Sequence, residues 1–341
     1  MNKKYYWGIV VVLAITAFVT YTEFKRTPFD EITKAAQNLN WVAFAFVFIV
    51  MILAFIFEAS VVETLAKRRN EPKRSKWSFM RIPLIEALFN AITPMSTGGQ
   101  PSMLAAMVQM GIEGGRATSI LLMKFILYQV VVFFAYITTI IFGFHMVATR
   151  FSGLAIFIVI GLIIHVSTTL FLFSIMFAYK WTQNATYWIM NILEKFFSPV
   201  RVDRWRKATI SKIETFYLES QKLKKEKKKL IVALMFTILQ LLCFYSVPYV
   251  VVLALNVHAS WVEVTQMNIM LIMFMSIIPI PGATGGAEYS FQTLFSAFVS
   301  SHGALVLGMF LWRFATYFFG MILGVLGFLF KPKKIKSSED A

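Results

Sequence analysis

Six stretches of this chain, 5–22, 41–60, 117–147, 154–179, 230–255 and 304–330, are apolar over about the 20 residues that a helix needs to cross a bilayer. None has the polar face of a helix that coats a soluble core. A composition of 58% hydrophobic residues, with 35 Phe and only 15% charged residues, also lies outside the range of a soluble domain. The fold class expected is therefore an all-α polytopic membrane protein. "FVTYTEFKRTPFD" after the first run offers no small-residue cleavage site, so that run reads as a retained span and not a signal peptide.

The net charge of +16 would suggest nucleic acid if it lay on one soluble face. Instead 26 of the 33 Lys and Arg fall in four blocks: Lys3 and Lys4, residues 67–81, residues 180–229, and the tail from Lys331. These blocks lie on alternate sides of successive spans, which places all four, and both termini, in the cytoplasm. Loop 23–40, with three basic and three acidic residues, is the outside loop. Charge here sets topology, and no nucleic-acid partner is expected. The single cysteine, Cys243, lies within a span and excludes a disulfide framework or a cysteine zinc cluster.

Two further segments, roughly 80–112 and 262–302, read as membrane-buried but are broken by "TPMSTGGQP" (93–101) and "PIPGATGGAE" (279–288). Both termini inside requires an even number of crossings, satisfied by six spans if each broken segment enters and leaves on one side, whether as a re-entrant hairpin or as a pair of full spans. The breaks also match each other. Pro94-Met-Ser-Thr-Gly-Gly99 aligns with Pro281-Gly-Ala-Thr-Gly-Gly286 at an offset of 187, and "LMKFILYQ" with "LWRFATYF" at 189, pairing Lys124 with Arg313 and Tyr128 with Tyr317. The first unit starts from a cytoplasmic loop and the second from an outer one, so the repeats are inverted, a recurring plan of transporters with discontinuous helices. The chain then divides into an N-terminal half (1–180), a basic amphipathic connector (181–229), a C-terminal half (230–330) and a tail (331–341). On the connector Trp205, Ile213, Phe216, Tyr217 and Leu223 fall on one face, as in a helix lying at the lipid interface. The alternative is a docking surface for a cytoplasmic partner.

A Gly-Gly pair after Thr, opening a helix, leaves free N–H groups at a positive helix end, which suits phosphate or carboxylate. Thr97, Gly98 and Gly99 in the first break are candidates, as are Pro281, Gly282, Thr284, Gly285 and Gly286 in the second. The plainer alternative is two packed helix ends with Thr97 and Thr284 as caps. Lys124 and Arg313 each fall about nine residues into an apolar span, where insertion costs roughly 2.5–3.5 kcal/mol and calls for a polar partner or a wet cavity. Either each cation pairs with a carboxylate such as Glu86, Glu113 or Glu288 and locks helices, or it lines a cavity and meets an anionic headgroup. Glu86, Tyr128 and Tyr317 are secondary cavity candidates, while Glu58, near the end of its span, reads as snorkelling to the interface. His145, His165, His258 and His302 are scattered without metal-ligand spacing, and neither Gly-x-Ser-x-Gly nor a phosphate-binding Gly-Lys-Thr loop occurs. No catalytic residue, metal or cofactor is expected.

"PIPGATGGAE" followed by "LWRFATYFFGMILGVLGF", with "NAITPMSTGGQPSMLAAM" upstream, resembles the lysylphosphatidylglycerol synthase transmembrane-region family, often called flippase-like, to which multiple peptide resistance factors belong. The resemblance implies a protein of the bacterial cytoplasmic membrane that moves a lipid headgroup between leaflets, and a link to antibiotic resistance. It places the headgroup site at Pro281, Gly282, Gly285, Gly286 and Glu288 with Arg313 behind them. Full-length resistance factors continue into a soluble domain that transfers lysine from lysyl-tRNA to phosphatidylglycerol. This chain ends soon after Phe330, so it is not expected to perform that reaction alone. The expected function is translocation of a phospholipid or lipid-linked headgroup such as lysylphosphatidylglycerol. The alternatives are the membrane subunit of a lysyltransferase, with a cytoplasmic transferase or glycosyltransferase as partner, and an ion-coupled small-solute transporter.

Overall fold

The computed structural model describes residues 28–68, 74–150, 152–177 and 179–330. The predicted first span, the tail 331–341 and part of the basic loop 67–81 lie outside the described residues. Among the described residues every regular element is helical.

A short helix α1 (Phe29–Gln37) leads into α2 (Trp41–Ala66). Asn40 starts α2, its side-chain oxygen accepting the Ala43 amide at 3.1 Å, one of the four N–H groups that a helix start leaves unpaired. The 26 residues of α2 reach about 39 Å, enough to cross the hydrocarbon core. Antiparallel to it runs α9 (Lys227–Ala254). The Asn40 amide donates to the Ala254 carbonyl (2.8 Å) at one pole, and the Lys229 ammonium donates to the Lys67 carbonyl (2.6 Å) at the other. The pole holding Lys67 and Lys229 also collects Arg74, Lys76 and Arg116, whose guanidinium bonds the Ala66 carbonyl. It is the basic pole.

The broken segments are re-entrant hairpins. In the first, α3 (Lys76–Ile92) is capped by Ser75, which accepts the Trp77 amide at 3.2 Å, and α4 (Gly99–Gln109) returns. Arg74, just before α3, donates to the carbonyl of Met110, just after α4, at 3.3 Å, so both legs end at the basic pole. The second consists of α10 (Trp261–Met275) and α11 (Gly286–Phe295). The Trp261 indole donates to Ser246 Oγ (2.9 Å), in the outer part of α9, which puts the start of α10 toward the opposite pole. From α11 the chain passes to α12 (His302–Leu329), whose Gly303 packs against Glu31 of α1 at that same pole. The two hairpins thus enter from opposite sides, and the repeats are inverted.

α12 ends at the basic pole against α3. The Trp77 indole donates to the Phe330 carbonyl at 3.1 Å, and the buried Arg81 donates through Nε to the Gly327 carbonyl at 2.7 Å. A Cβ on Gly324 would run into the Leu84 carbonyl and Leu88, so the bare glycine is what lets these helices approach. Of the remaining helices, α5 (Gly114–Arg150) covers the stretch predicted at 117–147 and α6 (Ser152–Phe177) lies along that predicted at 154–179, while α7 (Tyr179–Leu193) and α8 (Pro199–Lys225) make up most of the connector. Arg206 ties the connector pair through Glu194 at 2.6 Å. Of its predicted apolar face, Trp205 packs edge-on against Phe197, and the side chains of Phe216 and Leu223 lie outside the described set.

Four described helices, Trp41–Ala66, Gly114–Gly143, Lys227–Ala254 and His302–Leu329, are long and apolar enough to cross a membrane.

Candidate functional site

Each hairpin turns through the same backbone device. At the first tip Pro94–Ser96 form a single 3-10 turn with Met95 and Ser96 at φ 51° and 55°. At the second Pro281–Ala283 do the same, with Gly282 and Ala283 at φ 62° and 52°. Left-handed conformations are uncommon for residues other than glycine, so their recurrence at an offset of 187 marks a shared structure beyond the matching letters. Thr97 Oγ1 donates to the Pro94 carbonyl and Thr284 Oγ1 to the Pro281 carbonyl, both at 2.9 Å. The two tips pack against each other.

At each helix start beyond the tips, the amide of the residue just before the first turn is taken by a nearby side chain. The Gly98 amide donates to Thr93 Oγ1 at 2.9 Å, and Thr97, whose hydroxyl is turned to Pro94, makes no cap bond to the helix. The Gly285 amide donates to Glu288 Oε2 at 2.6 Å. Glu288 sits three residues past the helix start, where a glutamate side chain reaches back to the N-cap amide. Gly99 is pressed against the Asn90 side chain and Gly286 against Ile278, so these glycines serve close packing.

Around the tips lies a cavity of about 690 Å³. Of the candidates read from the sequence, Glu86, Lys124, Tyr128, Gly282, Arg313 and Tyr317 line it. Glu288 stands behind Arg313; Thr97, Gly98, Gly99, Pro281, Thr284, Gly285 and Gly286 build the tips and the helix starts without lining it. Lys124 lies ten residues into α5 and Arg313 eleven into α12, about 15 Å from opposite poles, so both stand near mid-membrane depth.

Arg313, 6% exposed, donates through Nε to Glu288 Oε1 at 2.7 Å. Its guanidinium lies 5.4 Å from the Trp312 ring centre and 5.3 Å from that of Tyr317. Nη2 is buried and has no hydrogen-bond partner. Directly after Arg313 the helix passes through a π turn, Phe314–Phe318, a distortion found often at functional sites. Tyr317 uses its hydroxyl to reach the other repeat, donating to the Ala91 carbonyl at 2.9 Å.

Across the cavity Lys124 Nζ lies 2.5 Å from Glu58 Oε1 and 2.8 Å from Glu86 Oε2. Glu58 is therefore not a snorkelling residue. The facing α5 supplies an ammonium at its depth, and the carboxylate turns inward to meet it. Its carboxylate inside an apolar run was the visible signal; its partner on another helix was not visible. Glu113, the other carboxylate weighed for these cations, is exposed. Polar groups that the sequence reading passed over, Asn90, Gln129, Gln240 and Asn268, also line the cavity, as does His165. Among the described residues no group of three or more His, Cys, Asp or Glu is arranged to hold a metal ion.

The family model described as lysylphosphatidylglycerol synthase TM region matches residues 6–324. A UPF0104 membrane protein of Archaeoglobus fulgidus is 25% identical over 347 residues, covering 97% of this chain and 98% of the relative.

Proposed function

The chain belongs to the lysylphosphatidylglycerol synthase transmembrane-region family, and from that premise we propose that it is a flippase-like protein which passes a phospholipid headgroup between leaflets through the cavity at its hairpin tips. The observation that carries this reading is Arg313. Its guanidinium lines a cavity at mid-membrane depth with Nη2 left without an acceptor, and a buried donor without a hydrogen bond is costly. A phosphate supplies the missing acceptor and suits the planar donor fork of arginine. About 690 Å³ suits a headgroup with little room for two acyl chains, so the tails stay in the bilayer. The wall opposite, with two carboxylates on Lys124, suits a cationic headgroup moiety. The basic pole faces the cytoplasm of the cell membrane by the positive-inside rule.

The test is leaflet exchange in vesicles holding the purified chain and a panel of labelled phospholipids. One headgroup class exchanging rapidly, with the rate lost in Arg313→Ala, supports the proposal. Equal exchange in the variant removes Arg313 from the site, and no exchange of any lipid by folded protein removes the flippase reading.

A further inference from the structure

A phosphate at Arg313 leaves the opposite wall unexplained. The side chains of Lys124, Glu58 and Glu86 are 7%, 13% and 14% exposed, and they share a single ammonium between two carboxylates. One negative charge in the triad therefore lacks a counter-charge, at a depth where bare charge is expensive. The surrounding helices do not supply it. α4 offers the Met103 sulfur, 3.6 Å from Lys124 Nζ, and the neutral Gln100, and α9 and α10 offer the neutral Gln240 and Asn268. Tyr128 of α5, His165 of α6 and Tyr317 of α12 are the other titratable groups on the wall. Arg313, the second fixed cation there, is already engaged by Glu288.

We propose that the Glu58–Glu86–Lys124 triad is a proton-binding site, and that a proton and the cationic group of a lipid headgroup occupy it in turn. With the cavity empty of lipid, one proton sits on the carboxylate pair and the triad is neutral. When a headgroup ammonium arrives, its charge replaces that of the proton, which leaves to water through the cavity. When the ammonium departs, a proton returns. The triad is neutral in both states, so neither step leaves a bare charge on that wall. Loading from one side and release on the other then couple headgroup movement to proton movement in the opposite direction. The proton site stands on the triad alone, whereas the coupling rests on the flippase reading above.

Two measurements on the full chain separate these. The first is infrared difference spectroscopy across a pH titration in phosphatidylglycerol nanodiscs. A protonated-carboxyl C=O band should appear and be lost or shifted in Glu58→Gln or Glu86→Gln, isosteric changes that keep one carboxylate on Lys124. No band in folded wild-type protein, or a band unchanged in both variants, overturns the proton site. The second uses vesicles containing phosphatidylethanolamine under a pH gradient, with the membrane potential held at zero. One-for-one exchange should bias the lipid about tenfold between leaflets per pH unit. Lipid exchange with equal leaflet populations under the gradient overturns the coupling while the flippase reading survives. A variant-sensitive band without exchange of any lipid keeps the proton site and discards the coupling.

Discussion

The two hairpins share a backbone and differ in their chemistry. Both tips turn through paired left-handed residues, 95 and 96 in one and 282 and 283 in the other, and both tie a threonine hydroxyl to the proline carbonyl three residues back. Behind the first tip stands Lys124 with two carboxylates, one from α2 and one from α3. Behind the second stands Arg313 with one, taken from the first turn of α11, which also caps its own helix. The difference teaches that inverted repetition builds the cavity while divergence gives its walls opposite preferences. One wall has a cation to spare a hydrogen bond; the other has an anion too many.

Removing each cation in turn is the strongest way to break this comparison. Lys124→Met strands two buried carboxylates, a change of the kind that costs about 3–5 kcal/mol for a single broken pair. It should give the largest loss of thermal stability in detergent. Adding Glu58→Gln and Glu86→Gln to it should restore most of the loss, because the triad is then neutral. If the triple variant is no more stable than Lys124→Met, charge balance is not what holds that wall. Arg313→Ala should cost less, since Glu288 keeps the Gly285 amide as a donor. Melting curves of the two single variants compare the walls directly, and equal losses would mean that the wall at Lys124 depends no more on its cation than the wall at Arg313 does.

The sequence made the helical class legible because uninterrupted apolar runs of bilayer length leave a chain few alternatives. It made the breaks legible because Pro and Gly clusters are out of place inside such runs. Whether each break was a re-entrant hairpin or a pair of spans was not legible, since the answer lies in contacts such as that of Arg74 with Met110, which link residues 36 apart. The cavity candidates Lys124 and Arg313 were visible as charges out of place. Glu58 was misread because its depth alone did not decide where it points; the ammonium on α5 did. The Gly-Gly pairs were read as open helix ends; that the amides of Gly98 and Gly285 are taken by Thr93 and Glu288 was not legible, because only the folded turn fixes the reach of those side chains.

Smaller changes sharpen the comparison at the tips. Tyr317→Phe removes the hydroxyl that joins α12 to the Ala91 carbonyl of the other repeat, worth about 1 kcal/mol as a single hydrogen bond. A modest drop in melting temperature is expected, and an unchanged value would mean that this bridge does not hold the repeats together. The equivalent tip positions 95 and 282 should respond with opposite signs. Gly282→Ala places a Cβ at φ 62°, a cost of about 1–2 kcal/mol, and pushes it against the Tyr317 ring. Met95→Gly relieves the same backbone strain at φ 51°, and the Met95 side chain, 58% exposed, loses little packing. The added freedom of the unfolded chain offsets part of that relief, so the net gain should stay below about 1 kcal/mol. Thermal unfolding of this pair therefore tests the repeat itself: if both substitutions shift stability the same way, the two tips are not equivalent despite their matching angles.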